Sequence, residues 1–353
     1  MSVEQKLLPI KSFLVNKINY RLWFWWLIFT LLSLLIIGLL TTKTVVFNEI
    51  SEISDNQLIS TSKLPEPFPL GVNPNTKTIS ENPAVTNFLN KNNIVSNHTK
   101  PAKNQTWLAL LITKLQDMNW YQNLASPMSR ILIIKSGDRA EQITSSFANI
   151  LGWTKEQETE FLEKMTAGVP PLSEGKFYPG KYLMASDASP QTVALIVKSR
   201  FKSEILSRYN DEIESTIPLR DTIIIASLIE REAYDFEDMR YISGVIWNRL
   251  FINMRLQIDS SLQYVRGSKS NEPWWPVPIP SDKYLDSPYN TYQNKGLPPG
   301  PIANPSIDAI IATLNPRETD CLFYFHDGDS NFHCTPTYKE HVALLKKYFG
   351  KGK

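Results

Sequence analysis

From Leu22 to Thr42 the chain reads LWFWWLIFTLLSLLIIGLLTT, a run without a single charge. As an α-helix rising 1.5 Å per residue it would be roughly 30 Å long, which matches the hydrocarbon thickness of a bilayer and lets every backbone group bond internally. The sequence therefore predicts one transmembrane helix over 22–42. Lys6, Lys11, Lys17 and Arg21 precede it, whereas Glu49, Glu52 and Asp55 follow Lys43. The positive-inside rule then places residues 1–21 in the cytoplasm and everything after Thr42 outside, with Trp23, Trp25 and Trp26 at headgroup depth. A cleaved leader fits less well, because the run exceeds the usual h-region and no clear small-residue cleavage site follows it.

Beyond this run, 353 residues are enough for two folded units and their connections. Lys plus Arg total 37 against 35 for Asp plus Glu, so the charge balance gives no support to a nucleic-acid partner. Residues 43–128 are rich in Asn, Ser, Thr and Pro, as in LPEPFPLGVNPNTKTISENP, and lack a sustained period. They read as a spacer with one short helix near 107–121. A first compact unit is expected over 129–209: an apolar strand, a turn at Ser136-Gly137-Asp138, a helix, a second helix over about 155–165, the strand-like EGKFYPGKYLM, and a helix from about Gln191 to Tyr209. A second unit, 210–353, opens on a helix ending near Ala233, with Asp221 as a candidate cap. It continues with a helix over 239–251, Pro-rich turns and short strands, and a last helix over 337–349. The class is mixed α+β.

Cys321 and Cys334 flank LFYFHDGDSNFH. A hairpin turning at Asp327-Gly328-Asp329 would set them nearly opposite, so in an exported domain they either close a disulfide or stay as two thiols. Neither C-x-x-C nor a His-rich cluster accompanies them, and no metal site is expected. G-x-S-x-G, phosphate-loop and H-E-x-x-H patterns are absent, and nothing calls for an organic cofactor.

The stretch IIIASLIEREA, Ile223 to Ala233, sets Glu230, Arg231 and Glu232 at the end of an apolar helix. The two acids point about 160° apart, so this helix alone does not supply a carboxylate pair. Glu230 shares its face with small residues, Ala226 and Ser227, which leave room for a ligand. It is either a desolvated general acid or the partner of a buried arginine such as Arg249. Downstream, MRLQIDSSLQY offers Gln257 and Asp259, and SPYNTYQNKGLPPGPIANP offers Tyr289, Asn290, Thr291 and Tyr292. Rings and amides on a rigid loop suit a sugar; the alternative is that they satisfy the backbone of a Pro-stiffened turn.

ASLIERE, Asn248-Arg249-Leu250, MRLQID, SPYNTY and GLPPGPIANP, in this order and spacing, resemble the YceG-like endolytic murein transglycosylases, with EGKFYPGKY as an upstream match. The resemblance covers about 131–349 and implies an enzyme that cuts peptidoglycan strands between N-acetylmuramic acid and N-acetylglucosamine, leaving 1,6-anhydro-muramyl ends. It implies Glu230, and not Glu232, as the single catalytic acid and base, because the muramyl C6 hydroxyl replaces water as nucleophile. Gln257, Asp259, Tyr289, Asn290, Thr291 and Tyr292 would then orient the glycan, and 129–209 is similar to a LysM-like glycan-binding subdomain. The family arrangement implies an inner-membrane anchor with the catalytic part periplasmic, and peptidoglycan polymerases as partners. A non-catalytic peptidoglycan-binding anchor and a muramidase pairing Glu230 with Asp259 are the alternatives. The chain departs from the pattern near its end, with Phe332, Cys334 and Val342 where relatives commonly carry His, Phe and Asn, and with Ser306 where they carry Gly.

Overall fold

The first unit is built on a strand that must cover its apolar side. In the computed structural model Ser129–Ile134 (β3) pairs antiparallel with Gly180–Ala185 (β4), from Ser129 opposite Ala185 to Ile134 opposite Gly180. Between them run two helices, Ala140–Leu151 (α2) and Lys155–Thr166 (α3), and a third, Pro190–Glu204 (α4), follows. Gly152 ends α2 in the left-handed conformation, φ 66°. Thr154 then starts α3 through a capping box with Gln157. Leu132 and Ile134 from the sheet meet Phe147, Phe161, Met165, Val193 and Val197 from the helices, all essentially excluded from water. Burying one such side chain stabilises the fold by about 1.5–3 kcal/mol.

The second unit packs around Leu219–Glu232 (α6), buried at almost every position from Leu219 to Glu230. Phe236–Phe251 (α7) and Ile307–Leu314 (α9) pack against it, and Asp259–Gly267 (α8) meets its C-terminal end. A short helix, Asp211–Thr216 (α5), leads in. Asp221 does not cap α6; the N-cap position is Pro218, which has no side-chain donor or acceptor, and Glu214 instead accepts from the Leu219 N–H at 2.9 Å. Asp221 lies in the first turn, where a carboxylate complements the helix dipole. Helix α7 begins at Phe236, ahead of the expected 239, because Asp235 accepts from the Asp238 N–H at 2.9 Å.

Phe323–His326 (β5) and Phe332–Thr335 (β6) form an antiparallel hairpin, followed by Tyr338–Phe349 (α10). Cys321 and Cys334 are joined by a disulfide, with Cα atoms 5.7 Å apart. Of the two states the sequence left open, the cross-linked one is formed.

The structure describes residues 22–34, 65–91, 128–168, 170–269 and 271–350. The spacer expected over 43–128 is corrected for 65–91. There a small hairpin, Val72–Asn73 (β1) with Thr78–Ile79 (β2), and a helix, Ala84–Lys91 (α1), lie against the second unit. Phe68, Val72, Val85 and Phe88 join the core that holds α6, and Gly71 donates to the Leu314 carbonyl at 2.8 Å. The helix expected at 107–121 lies outside the described residues. Residues 22–34 are helical, with Trp23, Trp25, Trp26 and Phe29 exposed. No helix among the described residues is long and apolar enough to cross a membrane; the remainder of the expected span, to Thr42, is outside them.

Candidate active site

Helix α6 delivers Glu230 to the junction of the two units. Its side chain is 8% exposed, and its Oε2 accepts from the Ser306 N–H at 2.9 Å and from Ser306 Oγ at 2.6 Å. Ser306 is also the N-cap of α9, its Oγ accepting from the Ala309 N–H at 3.2 Å. One serine therefore ends the Pro-rich loop, starts a helix and fixes one oxygen of the carboxyl group. Arg249 is not the partner of Glu230. It donates to the carbonyls of Leu322, at 2.7 Å, and Leu256, and lies over the Phe323 ring.

The small residues on the Glu230 face do not leave an open space. Ala226 and Ser227 are fully buried, and Ser227 Oγ accepts from the Ile302 N–H at 3.0 Å while donating to the Ile224 carbonyl at 2.7 Å. The expected room for a ligand is filled by the GLPPGPIANP loop, which small side chains let lie directly on the helix. Gly175 is also wedged here, since a Cβ on it would stand 2.3 Å from Ile223 Cγ2.

That loop joins the units through Asn304, which is fully buried. Its N–H donates to the Asp138 carbonyl at 2.9 Å, and its own carbonyl accepts from the Gly137 N–H at 2.8 Å. Its Oδ1 accepts from the Phe177 N–H at 2.9 Å, and its Nδ2 donates to the Asp138 carbonyl and to Glu174 Oε2. The Gly137 turn is thereby held over the end of α6. Gly137 has φ 78°, and a Cβ on it would lie 3.2 Å from Arg231 Nη1 and 3.7 Å from Glu230 Cγ. Arg231 places its guanidinium over Trp275, 4.0 Å from the ring centre. Burial depresses its pKa, opposed by the carboxylates of Glu230, Asp138 and Glu232. Burial raises Asp138, against the pull of Lys135 and Arg231. Next along the interface Arg139 lies over Tyr264 and donates to Ser268 Oγ at 2.9 Å.

The residues expected to hold sugar gather in a different network. Glu232 accepts from the Ser260 N–H at 3.1 Å and the Tyr324 hydroxyl at 3.0 Å, and burial raises its pKa. Asp259, beside Ser260, accepts from the Tyr292 hydroxyl at 2.6 Å. Burial and the Asp259 charge push the Tyr292 hydroxyl upward. Gln257, in the left-handed region with φ 49°, donates its N–H to the Thr291 carbonyl at 3.1 Å. Thr291 Oγ1 accepts from the Ile258 N–H at 2.9 Å, and Asn290 spends its amide on the carbonyls of Lys283 and Leu285 and on the Tyr292 N–H. Tyr289 packs on Tyr264, ring centres 4.8 Å apart. Hydrogen bonds thus bring Gln257, Asp259, Thr291 and Tyr292 together near Glu232; none of the six expected residues bonds Glu230. Asn290 and Thr291 are buried and hold loop backbone, as the structural alternative for that loop requires.

Sequence reasoning passed over Gly137, Arg231, Asn304 and Ser306 as site residues. Ser306 had a legible signal, a serine directly before the apolar run IDAIIATL. Asn304 and Gly137 had none, since their link spans 167 positions. Among the described residues no group of His, Cys, Asp and Glu forms a metal site.

A family model described as the YceG-like family matches residues 99–347. The chain belongs to the YceG-like family. An endolytic murein transglycosylase of Streptococcus pneumoniae is 30% identical over 226 residues, which cover 57% of this chain and 41% of that protein. An endolytic murein transglycosylase of Bacillus subtilis is 32% identical over 176 residues, covering 50% of this chain and 48% of that one. The chain thus spans less than half the length of these YceG-like relatives. A crystal structure of a YceG-like protein of Listeria monocytogenes shares the fold, with a TM-score of 0.52 at 22% identity over 79% of this chain and 98% of that one.

Proposed function

We propose that this YceG-like protein is an endolytic lytic transglycosylase acting on peptidoglycan, with Glu230 as its catalytic residue. The observation that carries the reading is the placement of Glu230: the first glutamate of ASLIERE ends a buried helix at the junction of the two units, nearly dry, with Oε2 fixed by Ser306. In the reaction the bond between muramyl C1 and the glycosidic oxygen breaks, and the Glu230 carboxyl gives that oxygen its proton. The muramyl O6 then bonds to C1, and its proton returns to Glu230, so no water is consumed. The nucleophile belongs to the substrate, so holding the sugar makes ring closure intramolecular and supplies much of the rate.

The β-α-α-β order of 129–185 supports a LysM-like role for the first unit. A groove of about 190 Å³ there, lined by Ile131, Ile133, Lys135, Asp138 and Gln142, runs up to the Gly137 turn and would lead a strand toward Glu230. The uncharged run 22–42 supports a single-pass inner-membrane anchor with the catalytic part periplasmic, near newly made strands and the polymerases that extend them. Purified sacculi incubated with wild type and Glu230→Gln test the assignment. Wild type releases 1,6-anhydro-muropeptides and the variant does not. A product heavier by one water, with a reducing muramic end, would make the enzyme a muramidase, and no release by either would leave a binding anchor.

A further inference from the structure

We infer, on the reading just given, that Arg231 is a specificity-determining residue whose guanidinium donates hydrogen bonds to the acyl oxygen of the lactyl ether, the group that distinguishes muramic acid from N-acetylglucosamine. The geometry begins with a planar fork anchored by its ring contact, since the guanidinium carbon lies over Trp275, 4.0 Å from the ring centre. Its Nε is buried and has no hydrogen-bond partner, and its Nη1 packs against the Gly137 turn beside the Glu230 side chain, 3.2 Å from where a Gly137 Cβ would stand. Asp138, Glu230 and Glu232 act on it through their charge, yet it forms no ion pair with them among the described residues. Arg231 is half-buried, and a guanidinium with a buried, unpartnered Nε gains from any acceptor that a ligand brings to its fork.

The chemistry of the substrate selects that acceptor. The N-acetyl group is common to both sugars of the strand and gives no discrimination between them. The lactyl group is carried at C3 of the same ring whose C1 is cut, within reach of a residue adjacent to Glu230. Its acyl oxygen accepts from a guanidinium whether the group is a free carboxylate or an amide bearing a peptide.

Calorimetric titration of the full chain carrying Glu230→Gln tests this with three probes: the tetrasaccharide of alternating N-acetylglucosamine and N-acetylmuramic acid with free lactyl carboxylates, the same sugar as its lactamide, and chitotetraose. Both muramyl probes should bind about tenfold tighter than chitotetraose, and adding Arg231→Gln should remove most of that advantage while moving chitotetraose by about twofold or less. Arg231→Lys, which keeps the charge and the stem but not the fork, should recover part of the affinity for the carboxylate form and little for the lactamide. It also carries the comparison alone if Arg231→Gln does not fold. Equal losses for all three probes would make Arg231 a structural prop for the Trp275 loop, and undiminished muramyl affinity would exclude contact with the lactyl group. Either result overturns the inference. Product analysis of wild-type digests tests the underlying reaction separately, so failure of one is distinguishable from failure of the other.

Discussion

Two glutamates two positions apart on one helix end in different surroundings. Glu230 faces the junction with Gly137 and Ser306, whereas Glu232 ties α6 to α8 and β5 through Ser260 and Tyr324. The helical angle between them was legible from spacing alone, whereas preferring Glu230 over Glu232 rests on the family resemblance of the motif around it. The open space imagined beside Ala226 and Ser227 was wrong, because a sequence pattern shows that a face is small but not what lies on it. Glu232→Ala should therefore cost stability, about 1–3 kcal/mol for two lost acceptor sites in a partly buried setting, with anhydro-muropeptide release per folded molecule within about tenfold of wild type. Chemical denaturation and digestion of sacculi by the same preparation check both halves. A well-folded Glu232→Ala protein without activity would move the catalytic assignment.

At the scale of elements, the helices and the strand segments of β3 and β4 followed from apolar periodicity and turn residues, whereas the strands' pairing and the docking between units did not, because Asn304 meets Gly137 and Glu174 across long separations. The turn at Gly137 places backbone where a side chain would meet Arg231, and its φ of 78° favours glycine. Gly137→Ala should cost about 1–2 kcal/mol in stability and lower activity by more than that loss explains, by crowding Arg231 and Glu230. Glu174 gives a pH dependence. It is 1% exposed, accepts from the Ala140 N–H at 2.7 Å, and is held well above the usual carboxylate range by burial, with the Glu141 charge adding to the effect. The folded state thus keeps the proton more tightly than the unfolded chain, whose reference value is 4.5. The stability from this group is fully present below that value and is lost as pH rises through the raised folded value. Urea titrations at about pH 5 and about pH 8 should show wild type weakening across the interval and Glu174→Gln weakening less.

For the whole molecule, the mixed α+β class was legible, but the folding of 65–91 onto the second unit was not. Its anchors Phe68, Val72, Val85 and Phe88 are scattered among Pro and Asn at no regular period, so local pattern carries no sign that they share a core. The Cys321–Cys334 bond closes the β5–β6 hairpin that carries Tyr324 to Glu232 and His326 to Asp238, 2.9 Å away. Replacing both cysteines with serine should lower stability by about 3 kcal/mol, since the cross-link limits the unfolded chain over a loop of similar size to those that give this value. A reducing agent should reproduce the loss in the wild type, as read by thermal unfolding. The central claim, that one nearly dry carboxyl gives and recovers the proton while the sugar closes on itself, is tested most directly by mass spectrometry of sacculi digested with wild type and Glu230→Gln. The account predicts 1,6-anhydro-muramyl ends from the wild type and none from the variant; reducing muramic ends, or equal release by both proteins, would contradict it.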